Sequence, residues 1–88
     1  MTKAAVSEFQ RDLTAFVRSL APEQAGRIRA TTKLFESGII DSYKVLELIS
    51  FIEAELGIRI PDERIVLENL RSILAITNAF WKPLQAGY

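Results

Sequence analysis

The 88-residue chain contains no cysteine and no histidine. Without cysteine there can be no disulfide, no thiolate metal site, no cysteine nucleophile and no thiol of the protein's own. Without histidine, the commonest general base near neutral pH and the commonest metal ligand are both missing. An enzyme of this composition would have to work with carboxylates, lysine, serine or tyrosine. Net charge is absent too, because eleven basic and eleven acidic residues cancel. Such a chain raises no field that would hold nucleic acid or an anionic membrane. No apolar run approaches the roughly 20 residues that span a bilayer. The first residues lack the apolar stretch of a secretory signal, so the expected compartment is the cytoplasm.

The composition is 49% hydrophobic and 25% charged, which is that of a globular chain. Its length fits one small domain, with a core at about residues 4–82 and a loose C-terminal tail at 83–88. A domain of this size buries only about 60% of the surface that its unfolded chain exposes, which leaves little room for an enclosed active site. Nothing in the composition calls for an oligomer, and a monomer is expected.

Three segments carry helical periodicity at about 100° per residue. In the first, Val6, Phe9, Leu13, Phe16, Val17 and Leu20 share a narrow arc. This helix is expected to start near Thr2 or Ala4 and to stop before Ala21-Pro22, since proline biases the residue before it away from helical geometry. In the second, Val45, Leu48, Ile49, Ile52 and Leu56 share an arc, with Asp41 and Ser42 as candidate N-caps and Gly57 as a C-terminal stop, which predicts a helix from about 42 to 56. In the third, Leu70, Ile73, Leu74, Ile76, Thr77 and Phe80 line a broader face, with Asn69 as the expected N-cap and Pro83 limiting the end. Residues 60–67 have room for one helical turn. Residues 22–40 form a long connection whose Ile28, Leu34, Phe35, Ile39 and Ile40 argue for order, with a turn around Glu23 to Ile28.

The informative stretch is Leu34-Phe35-Glu36-Ser37-Gly38-Ile39-Ile40-Asp41-Ser42-Tyr43. It places a serine at the first turn of an amphipathic helix, directly after an aspartate and a long connection. Helix N-termini gather unpaired N–H groups and a positive partial charge, so an anion attached there is stabilised. A phosphodiester on Ser42 would be such an anion.

Asp41-Ser42 followed by the helix to Leu56 resembles the phosphopantetheine attachment site of acyl and peptidyl carrier proteins. The downstream Gly57-Ile58-Arg59-Ile60-Pro61-Asp62-Glu63, about eighteen residues on, is similar to the family's loop after the second helix. The approach Leu34-Phe35-Glu36-Ser37-Gly38 also looks like the family's, and the resemblance covers roughly residues 6 to 80. It implies an all-α four-helix bundle of acyl-carrier-protein type, with three longer helices, a short third helix near Glu63 to Leu67, and a long loop between the first two. It implies further that a phosphopantetheinyl transferase moves 4′-phosphopantetheine from coenzyme A onto Ser42. The arm's thiol, which the chain itself lacks, then tethers acyl or aminoacyl groups as thioesters for loading and downstream biosynthetic enzymes. Such a carrier is free-standing, performs no chemistry itself and needs no metal. Asp41 serves as helix cap and as a contact for the transferase or its metal ion.

Each feature has a plainer reading beside this one. Ser42 could be an ordinary N-cap, and Asp41 an ordinary charge at a helix start. Tyr43, Glu47, Ser50 and Ala54 fall on the outward face of the second helix, with Leu46 and Phe51 at its borders. The corresponding family surface binds partners, which makes Tyr43 and Leu46 candidate apolar recognition contacts and Glu47 the polar one. Alternatively Leu46 tucks under the 22–40 connection. Phe51 is expected to pack, against the third helix. Ile60 and Asp62 match family positions near the arm. Ile60 is expected in the core, and Asp62 could either meet partners or cap the short helix. Thr77 is expected to be a core threonine bonded to its own helix, and Trp81 a packing residue.

The chain departs from fatty-acid carriers, which usually have leucine after the serine and a strongly acidic second helix. Here Tyr43 and Lys44 follow Ser42, and the helix sets Lys44 against Glu47, Glu53 and Glu55. Docking through a dense acidic face is weakened accordingly. The run Ser37 to Ser42 looks more like carriers of amino acids, D-alanyl carriers among them, or of specialised secondary metabolism. Two other functions compete. One is a helical interaction module of carrier-like fold that is never modified. The other is a small carboxylate-dependent enzyme, for which no acid and base converge.

Overall fold

The computed structural model describes residues 5–82. The first helix, α1 (Ala5–Leu20), buries Phe9, Leu13 and Val17 at four-residue intervals, with Phe16 and Leu20 packed beside them. This is the arc expected from periodicity, although the expected start near Thr2 or Ala4 lies outside the described residues. The chain turns at Ala21, and Pro22 opens a 3-10 turn over Pro22–Arg27. Proline fits there because its missing N–H would have had no helical partner.

The 28–40 connection is tied down by backbone bonds as well as by its apolar residues. Ile28, Leu34, Ile39 and Ile40 are buried. The Leu34 N–H donates to the Arg71 carbonyl at 2.8 Å, and the Leu74 N–H donates to the Ala30 carbonyl at 2.9 Å. From α1, the Arg18 guanidinium donates to the Ile28 carbonyl at 2.9 Å. An Arg71–Glu36 ion pair at 3.4 Å lies on the same seam but is half exposed, where such pairs add little.

The second helix, α2 (Lys44–Leu56), turns Leu48 and Ile52 into the core. It ends at Gly57, whose φ of 67° is the left-handed conformation that glycine adopts at low cost. The N–H groups of Gly57 and Ile58 both donate to the Glu53 carbonyl. Phe51 packs as expected but on a different partner: its ring stacks on Phe16 of α1, not on the third helical segment.

Two expectations for the C-terminal half are corrected. The single short helix near Glu63 to Leu67 is divided into a 3-10 turn over Asp62–Arg64 and a separate α3 (Leu67–Leu70). Between them Val66 is extended, at φ −129° and ψ 156°, as suits a β-branched residue. Asn69 does not cap the last helix. It lies within α3, and its amide donates to the Arg64 carbonyl. The cap is Ser72, whose Oγ accepts from the Ala75 N–H at 3.0 Å and opens α4 (Ile73–Ile76). This helix runs on as a wider π turn over Thr77–Trp81. Ile73, Ile76, Thr77 and Phe80 are buried, whereas Leu74, one position round the helix from Ile73, is 40% exposed and not part of the core face.

Thr77 is buried and donates to the Ile73 carbonyl of its own helix while accepting from Gln10 of α1. Trp81 packs at the edge of the core. The result is an all-helical bundle in which α1 lies against α2, α4 and the π turn. No strand occurs among the described residues. The expected limit at Pro83 and the tail 83–88 lie outside those residues.

Candidate functional site

The start of α2 is built from a contrast in burial. Ile39 and Ile40 are 2% and 1% exposed, and the three residues that follow, Asp41, Ser42 and Tyr43, are all exposed. The isoleucines anchor the end of the connection in the core, so the next residues are presented at a fixed corner of the bundle. Gly38 makes the approach possible: its φ is 82°, and its N–H closes a turn onto the Phe35 carbonyl at 3.0 Å.

Of the two candidate caps, Asp41 is the one used. Its Oδ1 accepts from the Lys44 N–H at 2.8 Å and from the Tyr43 N–H at 3.0 Å, and its carbonyl accepts from the Val45 N–H at 3.0 Å. These bonds, the Lys44 N–H first, hold the Asp41 carboxyl below the ordinary carboxylate range. Ser42 therefore stands in the capped turn that leads into α2, two residues before the helix begins at Lys44 and not inside it as the expected start at about 42 had it, and it is exposed. This refines the electrostatics of an anion at that point. Two of the helix N–H groups already belong to Asp41, so a phosphodiester on Ser42 would gain chiefly from the helix dipole.

Tyr43 is 72% and Leu46 63% exposed, and Glu47, Ser50 and Ala54 are exposed on the same side of α2. Leu46 thus does not tuck under the 22–40 connection. Lys44 points the other way, and its Nζ donates to the Leu20 carbonyl at the end of α1, at 2.9 Å. Ile60 is buried, and its N–H donates to Glu53 Oε2 at 2.9 Å, so a glutamate of α2 grips the loop that follows the helix. Asp62 is exposed at the start of its 3-10 turn and makes no side-chain cap there. No described hydrogen bond joins Asp62 to the Asp41–Ser42 corner. Sequence reasoning missed the roles of Lys44 and Glu53: Lys44 reaches back across twenty-four residues, and Glu53 meets a backbone N–H seven residues on, past the helix end where periodicity no longer applies.

A separate open groove of about 240 Å³ is lined by Ile58, Ile60, Pro61, Arg64 and Phe80 among others. Arg64 closes one wall, with its guanidinium 5.6 Å from the Phe80 ring centroid and donating to the Ala79 carbonyl. Among the described residues there is no cluster of carboxylates able to hold a metal ion and no helix long and apolar enough to cross a membrane.

The structure thus presents an exposed serine at the start of an amphipathic helix, after an anchored connection in an all-helical bundle. The family of the phosphopantetheine attachment site matches residues 11–80, and the chain belongs to it. No curated protein and no solved structure matches the chain. The protein is a carrier of acyl groups, and the family's cofactor is covalently attached 4′-phosphopantetheine. The corner at Ser42 fits that group, because its hydroxyl-bearing residue is exposed and so are Asp41 and Tyr43 on either side.

Proposed function

We propose that Ser42 is the residue that carries 4′-phosphopantetheine, and that the chain presents acyl or aminoacyl thioesters to the enzymes of a biosynthetic pathway. The observation that carries this reading is the exposure of Ser42 in the turn that opens α2, directly after the buried Ile39-Ile40 anchor and the Asp41 cap. When bound, the arm supplies the thiol that forms the thioester. The chain's own residues hold and present. Asp41 keeps the first turn closed and leaves the Ser42 oxygen outside the hydrogen-bonded ring, free to be taken by a transferase acting on coenzyme A.

Tyr43 and Leu46 form the apolar part of the partner surface and Glu47 its polar part. Asp62 remains a candidate contact on the neighbouring turn. Lys44 is drawn back to α1, and the total charge is zero, which favours apolar docking over a charge-steered mode. That balance supports aminoacyl or specialised acyl cargo over bulk fatty-acid synthesis. The chain itself performs no catalysis, and it works in the cytoplasm. Incubation with coenzyme A and a broad-specificity phosphopantetheinyl transferase, followed by intact-mass measurement, tests the assignment. The wild-type chain gains one phosphopantetheine and Ser42→Ala gains none. A gain by Ser42→Ala would move the site elsewhere.

A further inference from the structure

The lysine two residues after Ser42 joins two helix ends. Carbonyls in the last turn of α1 lack onward helical partners, and the chain there offers few substitutes. Gln24, the residue whose N–H would reach the Leu20 carbonyl in a continuing helix, donates instead to Ala21 at 2.9 Å. Lys44 fills the gap by donating its ammonium to the Leu20 carbonyl, across twenty-four residues of chain. A cation at that place also answers the negative end of the α1 dipole. The same residue gives its backbone N–H to Asp41 at 2.8 Å. Lys44 thus binds the C-terminal end of α1 with one group and the cap of the serine-bearing turn with the other.

We infer that Lys44 is a positioning residue for modification of the chain: its ammonium struts the Ser42 turn against α1, so that the turn is held in the form a transferase accepts. The inference rests on the assignment of Ser42 as the modified residue. Helix ends open at little cost, so the first turn of α2 is the part of the helix where one added bond changes the population most. A charge-assisted bond that is only half buried shifts such an opening by about tenfold. A partner that needs the closed turn sees the loss as weaker apparent binding, with the chemical step unchanged.

Lys44→Met and Lys44→Arg test this in the full chain. Methionine keeps the packed stem and removes the ammonium, whereas arginine keeps a donor. In the unmodified protein, amide hydrogen exchange of Val45 is expected to quicken by about tenfold in Lys44→Met. With coenzyme A and a broad-specificity transferase, a tenfold shift that takes the open-to-closed ratio of the turn from about 0.1 to about 1 is expected to raise KM for the carrier about twofold with kcat unchanged, and Lys44→Arg to restore both readings. A role confined to global stability would lower the urea midpoint and leave KM where it was, which would overturn the inference. So would a raised KM with unaltered Val45 exchange, because the ammonium would then be touching the enzyme. A wild-type chain that is never modified removes the Ser42 assignment. A modified wild type with Lys44→Met equally good removes only the strut.

Discussion

The rings of Phe16 and Phe51 stack 4.4 Å apart and within 10° of parallel, and they join α1 to the helix that carries the site. Both are only partly buried. Each truncation to alanine is therefore expected to cost about 2 kcal/mol, below the 3–5 typical of a fully buried phenylalanine. The double mutant should lose less than the sum, with a coupling of about 1 kcal/mol for the stacked pair. Urea unfolding of the four members of the cycle measures it, and strict additivity would show that the stack contributes nothing beyond its area.

Gly57→Ala isolates a backbone effect. Its two chain neighbours aside, no atom lies within 4 Å of where its Cβ would stand, so the cost is conformational. With φ at 67°, alanine should destabilise by about 1 kcal/mol, and Gly57→Asn by less, since asparagine tolerates the left-handed region better. Equal losses for the two variants would point to a packing cause instead.

Asp41 and acid act on the same turn. Its folded pKa is held down by the N–H groups of Lys44 and Tyr43. Its contribution is therefore present above the ordinary aspartate value of 3.8 and is lost as pH falls through the lower, folded one. Asp41→Ala should speed amide exchange at Val45 at neutral pH. Asp41→Asn, an uncharged cap, should retain most of the protection and make it independent of acid.

Glu55 behaves in the opposite sense. Glu55 is exposed, but a partial loss of hydration, then the charge of Asp12 on α1 and a hydrogen bond to it, push its carboxyl above the ordinary value of 4.5. The folded chain then holds that proton more readily than the unfolded chain, so the site costs stability above the raised pKa and ceases to do so below 4.5. Glu55→Gln should raise the urea midpoint at pH 7 and leave it unchanged well below 4.5. A fall in the midpoint at neutral pH would mean that the carboxylate is stabilising where it stands.

Tyr43 and Leu46 separate stability from recognition. Both are exposed, so Tyr43→Ala and Leu46→Ala should shift unfolding by no more than about 0.5 kcal/mol. The modification reaction with a transferase should nonetheless weaken by about tenfold in the double variant, as expected when apolar contacts at the centre of an interface are removed. Low salt should not rescue it.

Much of this architecture is legible along the chain, and the part that is not has physical reasons. The arcs of Phe9, Leu13 and Val17 and of Leu48 and Ile52 point inward as their spacing requires. The exposed Ser42 after a capping Asp41 follows from local chemistry at a helix start. The break at Ser72 is hidden because Leu70, Ile73 and Ile76 keep a helical period across it. The order of the 28–40 connection is announced by Ile28, Leu34, Ile39 and Ile40, which are buried, but the main-chain bonds from Leu34 to Arg71 and from Leu74 to Ala30 leave no residue-type signature. Lys44 reads as a surface charge until the end of α1 is brought beside it.

The most direct test of the central claim is peptide-level mass spectrometry of the chain after modification with coenzyme A and a transferase. The account predicts that the phosphopantetheine resides on the peptide containing Asp41-Ser42-Tyr43, and on Ser42 within it, in a single copy. Its presence on Ser37, Ser50 or Ser72, or the absence of any modified peptide with several transferases, would contradict the account.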